Sequence, residues 1–151
     1  MAERNSPSEI SADRVLLLTH VFDAPRQRVF EAWSQRDDVL AWWGPAGFRL
    51  SHCEMEFREG RAWRYCMRSA EGEEHWIHGV YREIVAPEKL VFTYVNEDDG
   101  NESVVTMLFK TLGEKTELRF SQATFPNVAE RDGHNWGWSS SFDLLDAYLA
   151  K

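Results

Sequence analysis

The sequence predicts an α+β domain in which a curved, seven-stranded antiparallel sheet wraps one long C-terminal helix, with two short helices after the first strand. Two observations lead there. From Phe48 onward the chain alternates apolar runs with turn signals, as a meander does. In the closing stretch, Asp132 to Lys151, residues Trp138, Phe142, Leu145 and Leu149 recur at steps of four, three and four, which places them on one helical face. Ser141, Leu144 and Tyr148 widen that stripe, while Ser140, Asp143 and Asp146 fall opposite. The stripe must be buried against something, and what precedes it reads mainly as strands and turns. A helix laid across a curved sheet leaves a hollow, and function is expected there.

The elements follow in order. Residues 1–12 are polar with a Ser-Pro step and read as a flexible tail, leaving 13–151 as a single domain. Arg14 to Phe22 is apolar enough for a buried first strand. Asp23 reads as a helix N-cap with Pro25 in the first turn, and Val29, Phe30, Ala32 and Trp33 face inward. A second short helix spans Asp37 to Trp42 and ends at Gly44-Pro45. Turn signals at Glu59-Gly60, Glu71-Gly72, Ala86-Pro87, Asp99-Gly100 and Gly113-Glu114 bound six further strands.

The totals bound the function. With 151 residues, 43% hydrophobic and 28% charged, this is one globular domain with a real core. Seven Trp, nine Phe and four Tyr make a core and also suit an apolar ligand cavity. A net charge of −8 and 17 scattered basic residues argue against a nucleic-acid surface. No apolar stretch approaches the roughly 20 residues that span a bilayer. The N-terminus lacks an apolar signal core, so a cytoplasmic location with reduced cysteines is expected.

Register says which side chains line the hollow. A two-residue turn at Glu71-Gly72 sets Met67 opposite Trp76, Tyr65 opposite His78 and Trp63 opposite Val80, all on the inner face. Continuing through Pro87 adds Leu90, Phe92 and Tyr94. The Gly113-Glu114 hairpin pairs Phe109 with Leu118, Met107 with Phe120 and Val105 with Gln122. Around Gly60, a three-residue loop pairs Phe57 with Trp63, Met55 with Tyr65 and Glu56 with Arg64, which keeps apolar groups together and separates Cys53 from Cys66. No disulfide is expected. Arg82 falls on the inner face by register, unless a bulge near Ala86 turns it outward. The outward orientation is favoured, because a lone buried guanidinium is costly.

These residues resemble a known family. The run VFEAWSQRDDVLAWWGPAGF at Val29–Phe48 is similar to the N-terminal signature of the helix-grip (START-like, Bet v-like, SRPBCC) superfamily. REGRAWRYCMR at Arg58–Arg68, EGEEHWIHGVYREIVAPEKLVFTY at Glu71–Tyr94 and HNWGWSSSFDLLDAYL at His134–Leu149 match in order. The branch is that of bacterial single-domain homologues of the activator of heat-shock-protein-90 ATPase. Gly60-Arg61 stands where the family often has two glycines. The resemblance implies a sheet gripping the long helix around a cavity. It implies no single activity, since members bind lipids, hormones or polyketides and a minority are cyclases or hydrolases. The eukaryotic namesake carries a separate N-terminal domain for chaperone binding, without counterpart in this sequence, so chaperone activation is not the expectation.

Chemical motifs are sparse. His20, His52, His75, His78 and His134 have no metal-ligand spacing, no CxxC accompanies them, and no cofactor motif occurs. His78 is either a hydrogen-bonded core histidine, a ligand contact or a general base. Ser139, Ser140 and Ser141 lack a nucleophile elbow and read as small residues for close helix–sheet approach. Nothing basic stands beside Cys53 to activate it. Trp42, Trp43, Trp136 and Trp138 either cap the mouths of the hollow or fill it.

The expectation is a binding protein for a small apolar or aromatic molecule, or a lipid, held by Trp63, Tyr65, Met67, Trp76, His78, Phe92, Tyr94, Met107, Phe120, Trp138 and Phe142. Tyr65, His78 and Gln122 would orient the ligand. Truncating Trp76 is expected to weaken binding by about 2–4 kcal/mol if its ring stacks on the ligand. The alternatives are a ligand-free, stress- or chaperone-related module that binds a protein partner, and an enzyme using His78 or Tyr65 as acid or base.

Overall fold

The computed structural model describes residues 12–151. A 3-10 turn at Ala12–Arg14 leads into β1 (Val15–Phe22), α1 (Arg26–Ser34) and α2 (Arg36–Trp42). Six strands follow: β2 (Phe48–Met55), β3 (Ala62–Ser69), β4 (Glu74–Val85), β5 (Lys89–Asn96), β6 (Glu102–Leu112) and β7 (Lys115–Ala123). The chain closes with α3 (Val128–Leu149). The seven strands form one antiparallel sheet in the order β1-β7-β6-β5-β4-β3-β2, so β1 and β2 are its edges. This is the helix-grip arrangement. Of the tail expected at residues 1–12, all but Ala12 lies outside the described residues; the Ala12 carbonyl accepts from Arg131 at 2.8 Å.

Helix starts differ from expectation for local reasons. Pro25, not Asp23, occupies the N-cap of α1, and no side chain caps that end. Helix α3 begins at Val128 rather than Asp132, because the Asn127 side-chain oxygen accepts from the Glu130 backbone N–H at 2.9 Å. Trp138, Ser141, Phe142 and Leu145 of α3 are buried, whereas Leu144 is 38% exposed and stands outside the stripe.

The β6–β7 ladder matches expectation, with Phe109 opposite Leu118, Met107 opposite Phe120 and Val105 opposite Gln122. These six side chains are all buried and form the floor on which α3 lies. The C-terminal half of α3 is pinned from several sides. His20 of β1 lies 2.8 Å from Asp146, Arg28 of α1 reaches Asp38 of α2 at 3.2 Å, and the Tyr148 hydroxyl donates to the same Asp38 carboxylate.

The β3–β4 register is one residue off the expected one. The hairpin closes through a three-residue loop, Ala70 to Gly72, with the Ser69 N–H donating to the Glu73 carbonyl at 2.9 Å. Gly72 takes φ +89°, which suits the left-handed end of such a loop. Trp63 therefore faces Gly79, Tyr65 faces Ile77 and Met67 faces His75. Trp76 and His78 move to the outer face, because one residue of slip inverts every side chain of a strand. A bulge between Tyr81 and Glu83 restores the other parity, so Ile84 faces Leu90 on the inner side. Arg82 sits on that bulge and is exposed, four residues before the position considered for it.

At β2–β3 the expected faces hold but the pairing moves by two, with Met55 opposite Trp63 and Glu54 opposite Arg64. Cys53 faces Tyr65, Cys66 faces His52, and both thiols are free.

Candidate functional site: a cavity under the first half of the long helix

The middle of the grip is filled. Trp33, Phe120, Trp138 and Phe142 meet there, with the Trp138 and Phe120 ring centroids 4.8 Å apart. The Trp138 indole N–H donates to Gln122 Oε1 at 2.8 Å, and Gln122 Nε2 donates to Ser103 Oγ at 2.8 Å. Both ends of the Gln122 amide are thus engaged in clasping α3 to the sheet.

Toward the N-terminal half of α3 the packing opens into a cavity of about 310 Å³. Its sheet wall is Met67, His75, Ile77, Tyr94 and Asn96, from β3, β4 and β5. Its third wall, from the end of α2 to the start of β2, is Trp43, Pro45 and Phe48. The helix wall explains why space remains. Ala129, Gly133, Gly137 and Ser141 recur every four residues and all line the cavity. A Cβ added at Gly133 or Gly137 would meet no atom within 4 Å. Glycine inside a helix costs about 1 kcal/mol relative to alanine, and no close contact demands it here. The two glycines hold open volume that larger residues would fill.

The polar groups are few. Burial raises the Tyr94 hydroxyl pKa, so it stays a neutral donor, and it makes no hydrogen bond among the described residues. Burial lowers the His134 pKa, which keeps its ring neutral beside Tyr94 and Phe125. At the rim, His75 lies 2.8 Å from Asp98 and 3.2 Å from Glu73, and these carboxylates raise its pKa. A much smaller void of about 10 Å³ lies deeper, among Trp33, Trp43, Trp63, Tyr65, Tyr81, Leu90 and Phe92. Two of the rings around it, Trp33 and Trp63, carry buried indole N–H groups with no partner among the described residues.

The residues expected to line the hollow therefore divide. Met67, Tyr94 and Trp138 line the cavity. Trp63, Tyr65 and Phe92 surround the deeper void, and Met107, Phe120, Gln122 and Phe142 are packed core. Trp76 and His78 stand outside. Trp76 stacks under the Arg64 guanidinium at 4.1 Å, and His78 lies 2.8 Å from Glu97, which Arg64 also binds at 2.8 and 2.9 Å. Sequence reasoning missed the helix wall, although the four-residue recurrence of small residues from Ala129 to Ser141 signals it. It also read Ser141 as permitting close approach, whereas the small stripe makes room.

No helix among the described residues is long and apolar enough to cross a membrane. No curated protein matches the chain in sequence. Among solved structures, a protein of Chromobacterium violaceum superposes with a TM-score of 0.85 at 26% identity, over 91% of this chain and 98% of its own. The AHSA1 protein of Silicibacter pomeroyi gives 0.82 at 26% identity, over 90% and 97%. A Rhodobacter sphaeroides protein gives 0.80 at 19% identity, over 93% and 95%, and that likeness is one of fold. The family described as "Activator of Hsp90 ATPase homolog 1-like protein" matches residues 23–150, and the chain belongs to it.

Proposed function

We propose that this protein binds a small apolar or aromatic molecule in the cavity under the first half of α3. The observation that carries this reading is the pair of helix glycines over open volume. Gly133 and Gly137 forgo helix stability at two adjacent turns of one face, and what they leave is an open-sided cavity of about 310 Å³ whose lining includes Trp43, Phe48, Tyr94, Trp136 and Trp138. That volume is at the lower end of ordinary ligand sites, which suits one or two fused rings. Trp43, Trp138 and Phe48 would supply burial energy, and the Tyr94 hydroxyl would hydrogen-bond one polar group of the ligand. Retention of such a molecule within the cytoplasm fits a carrier or sensor.

The ligand-free interaction module remains the contrasting reading, favoured by the filled middle of the grip. Native mass spectrometry of protein purified from its own host separates the two. A discrete added mass that leaves on unfolding, and that is absent from Gly137→Phe, supports the binding reading. Identical, mass-free spectra from both proteins, with no uptake of an apolar fluorescent probe, overturn it.

A further inference from the structure

The cavity walls carry a charge pattern that narrows the ligand class, given that the cavity is a binding site at all. Among the described residues that line it there is no Lys or Arg. There is one carboxylate, Glu130, half-buried on the helix wall and without an ion pair or side-chain hydrogen bond among the described residues. Every other acidic side chain nearby is engaged or peripheral. Glu73 and Asp98 bracket His75 at the rim, so that trio carries one positive and two negative charges when the imidazole is protonated. His134, the other ring nitrogen source in the wall, is held neutral by burial. The remaining lining is uncharged and includes five aromatic residues, Trp43, Phe48, Tyr94, Trp136 and Trp138.

A ring-rich, open-sided cavity with a carboxylate unpaired among the described residues and no Lys or Arg attracts positive charge through ring quadrupoles and through Coulomb interaction in a partly shielded space. It repels a carboxylate or phosphate for the same reasons. Position N3 of α3 gives Glu130 a bland role as well, since a carboxylate there suits the helix dipole. That role does not require the side chain to line the cavity, and the backbone N–H of Glu130 is already capped by Asn127. We infer that the cavity selects an aromatic molecule bearing a cationic group, an aryl-alkyl ammonium or a protonated aromatic amine, with Glu130 as counter-ion and the Trp43, Trp138 and Tyr94 rings around it.

Three probes sharing one ring system test this by isothermal titration calorimetry at neutral pH: naphthylmethylammonium, naphthylmethanol and naphthoate. The ammonium should bind roughly tenfold or more tightly than the carboxylate, with the alcohol between them. Glu130→Gln should lower the ammonium affinity by about tenfold, raise that of the carboxylate and leave the alcohol unchanged, the alcohol reporting that the cavity is intact. Raised salt should weaken the ammonium and spare the alcohol. Equal affinities for the three probes, or preference for naphthoate, would overturn the charge inference while the cavity reading stands. No binding of any probe would overturn both. An ammonium preference that survives Glu130→Gln would remove Glu130 as counter-ion and with it the inference as stated.

Discussion

Gly79, in β4, leaves no room for a side chain. It lies opposite Trp63, and a Cβ built there would sit 1.8 Å from the Thr93 carbonyl oxygen and 2.7 Å from Trp63 Nε1. The carbonyl belongs to the backbone of β5 and cannot swing away. Gly79→Ala should cost about 3 kcal/mol or more, measurable as a lower urea midpoint. Tyr94→Phe tests the opposite kind of residue. The hydroxyl has no partner to lose among the described residues, so stability should hold while affinity for a hydroxyl-bearing aromatic probe falls by about 1 kcal/mol. Trp76→Ala should leave that affinity unchanged, because the ring packs on Arg64 across the sheet from the cavity.

Glu97 gives a pH signature on the outer face. Hydrogen bonds from Arg64 and then from His78 hold its carboxyl at about 2, against an ordinary 4.5. A folded pKa below the unfolded one gives stabilisation that is complete above about pH 4.5 and is lost as pH falls toward about 2. Glu97→Gln should flatten the fall in stability between those values, by a small increment because the groups are partly exposed. An acid limb unchanged by the substitution would show that the cluster contributes nothing.

Among the elements, α3 joins two different halves. Its C-terminal half is pinned to β1, α1 and α2, while its N-terminal half roofs the cavity through Ala129, Gly133 and Gly137. Gly133→Ala and Gly137→Ala should each stabilise the fold by about 0.5–1 kcal/mol, since alanine suits the helix and meets nothing. The same substitutions intrude on the cavity, so ligand affinity should fall as thermal stability rises.

Strand β4 shows what the sequence made legible and what it did not. Its boundaries, Glu74–Val85, could be read from turn residues and alternation. Its facing could not, because two loop choices differ by one residue and both place aromatics inward. Trp76 and Ile77 are adjacent, and either is apolar enough to be buried. The bulge at Arg82 compounds this by making even positions inward at Ile84 and odd ones inward at Ile77, Gly79 and Tyr81. By contrast, the Gly113-Glu114 hairpin has a legible facing, since a one-residue slip would send Met107 and Phe109 to the face opposite Leu118 and Phe120. The cavity was only partly legible for a related reason: glycine and alanine carry no apolar signal, although they define the helix wall.

At the scale of the molecule, an aromatic-rich chain has packed most of its rings into one continuous core and left volume at one end. The candidate site lies where the helix–sheet packing opens, under the Ala129–Gly137 segment of α3 with its two glycines. Such placement keeps the core independent of ligand, so the unliganded protein should unfold cooperatively and a ligand should raise its Tm in proportion to the logarithm of its concentration.

Binding under the first half of α3 is tested most directly by following backbone and indole N–H signals of isotope-labelled protein by nuclear magnetic resonance while naphthylmethanol is added. Saturable shifts should centre on Trp43, Tyr94, Gly133, Gly137 and the Trp138 indole, with Trp76 and His78 unmoved. Shifts centred on the outer face around Trp76, or none at concentrations that saturate an apolar fluorescent probe, would contradict it.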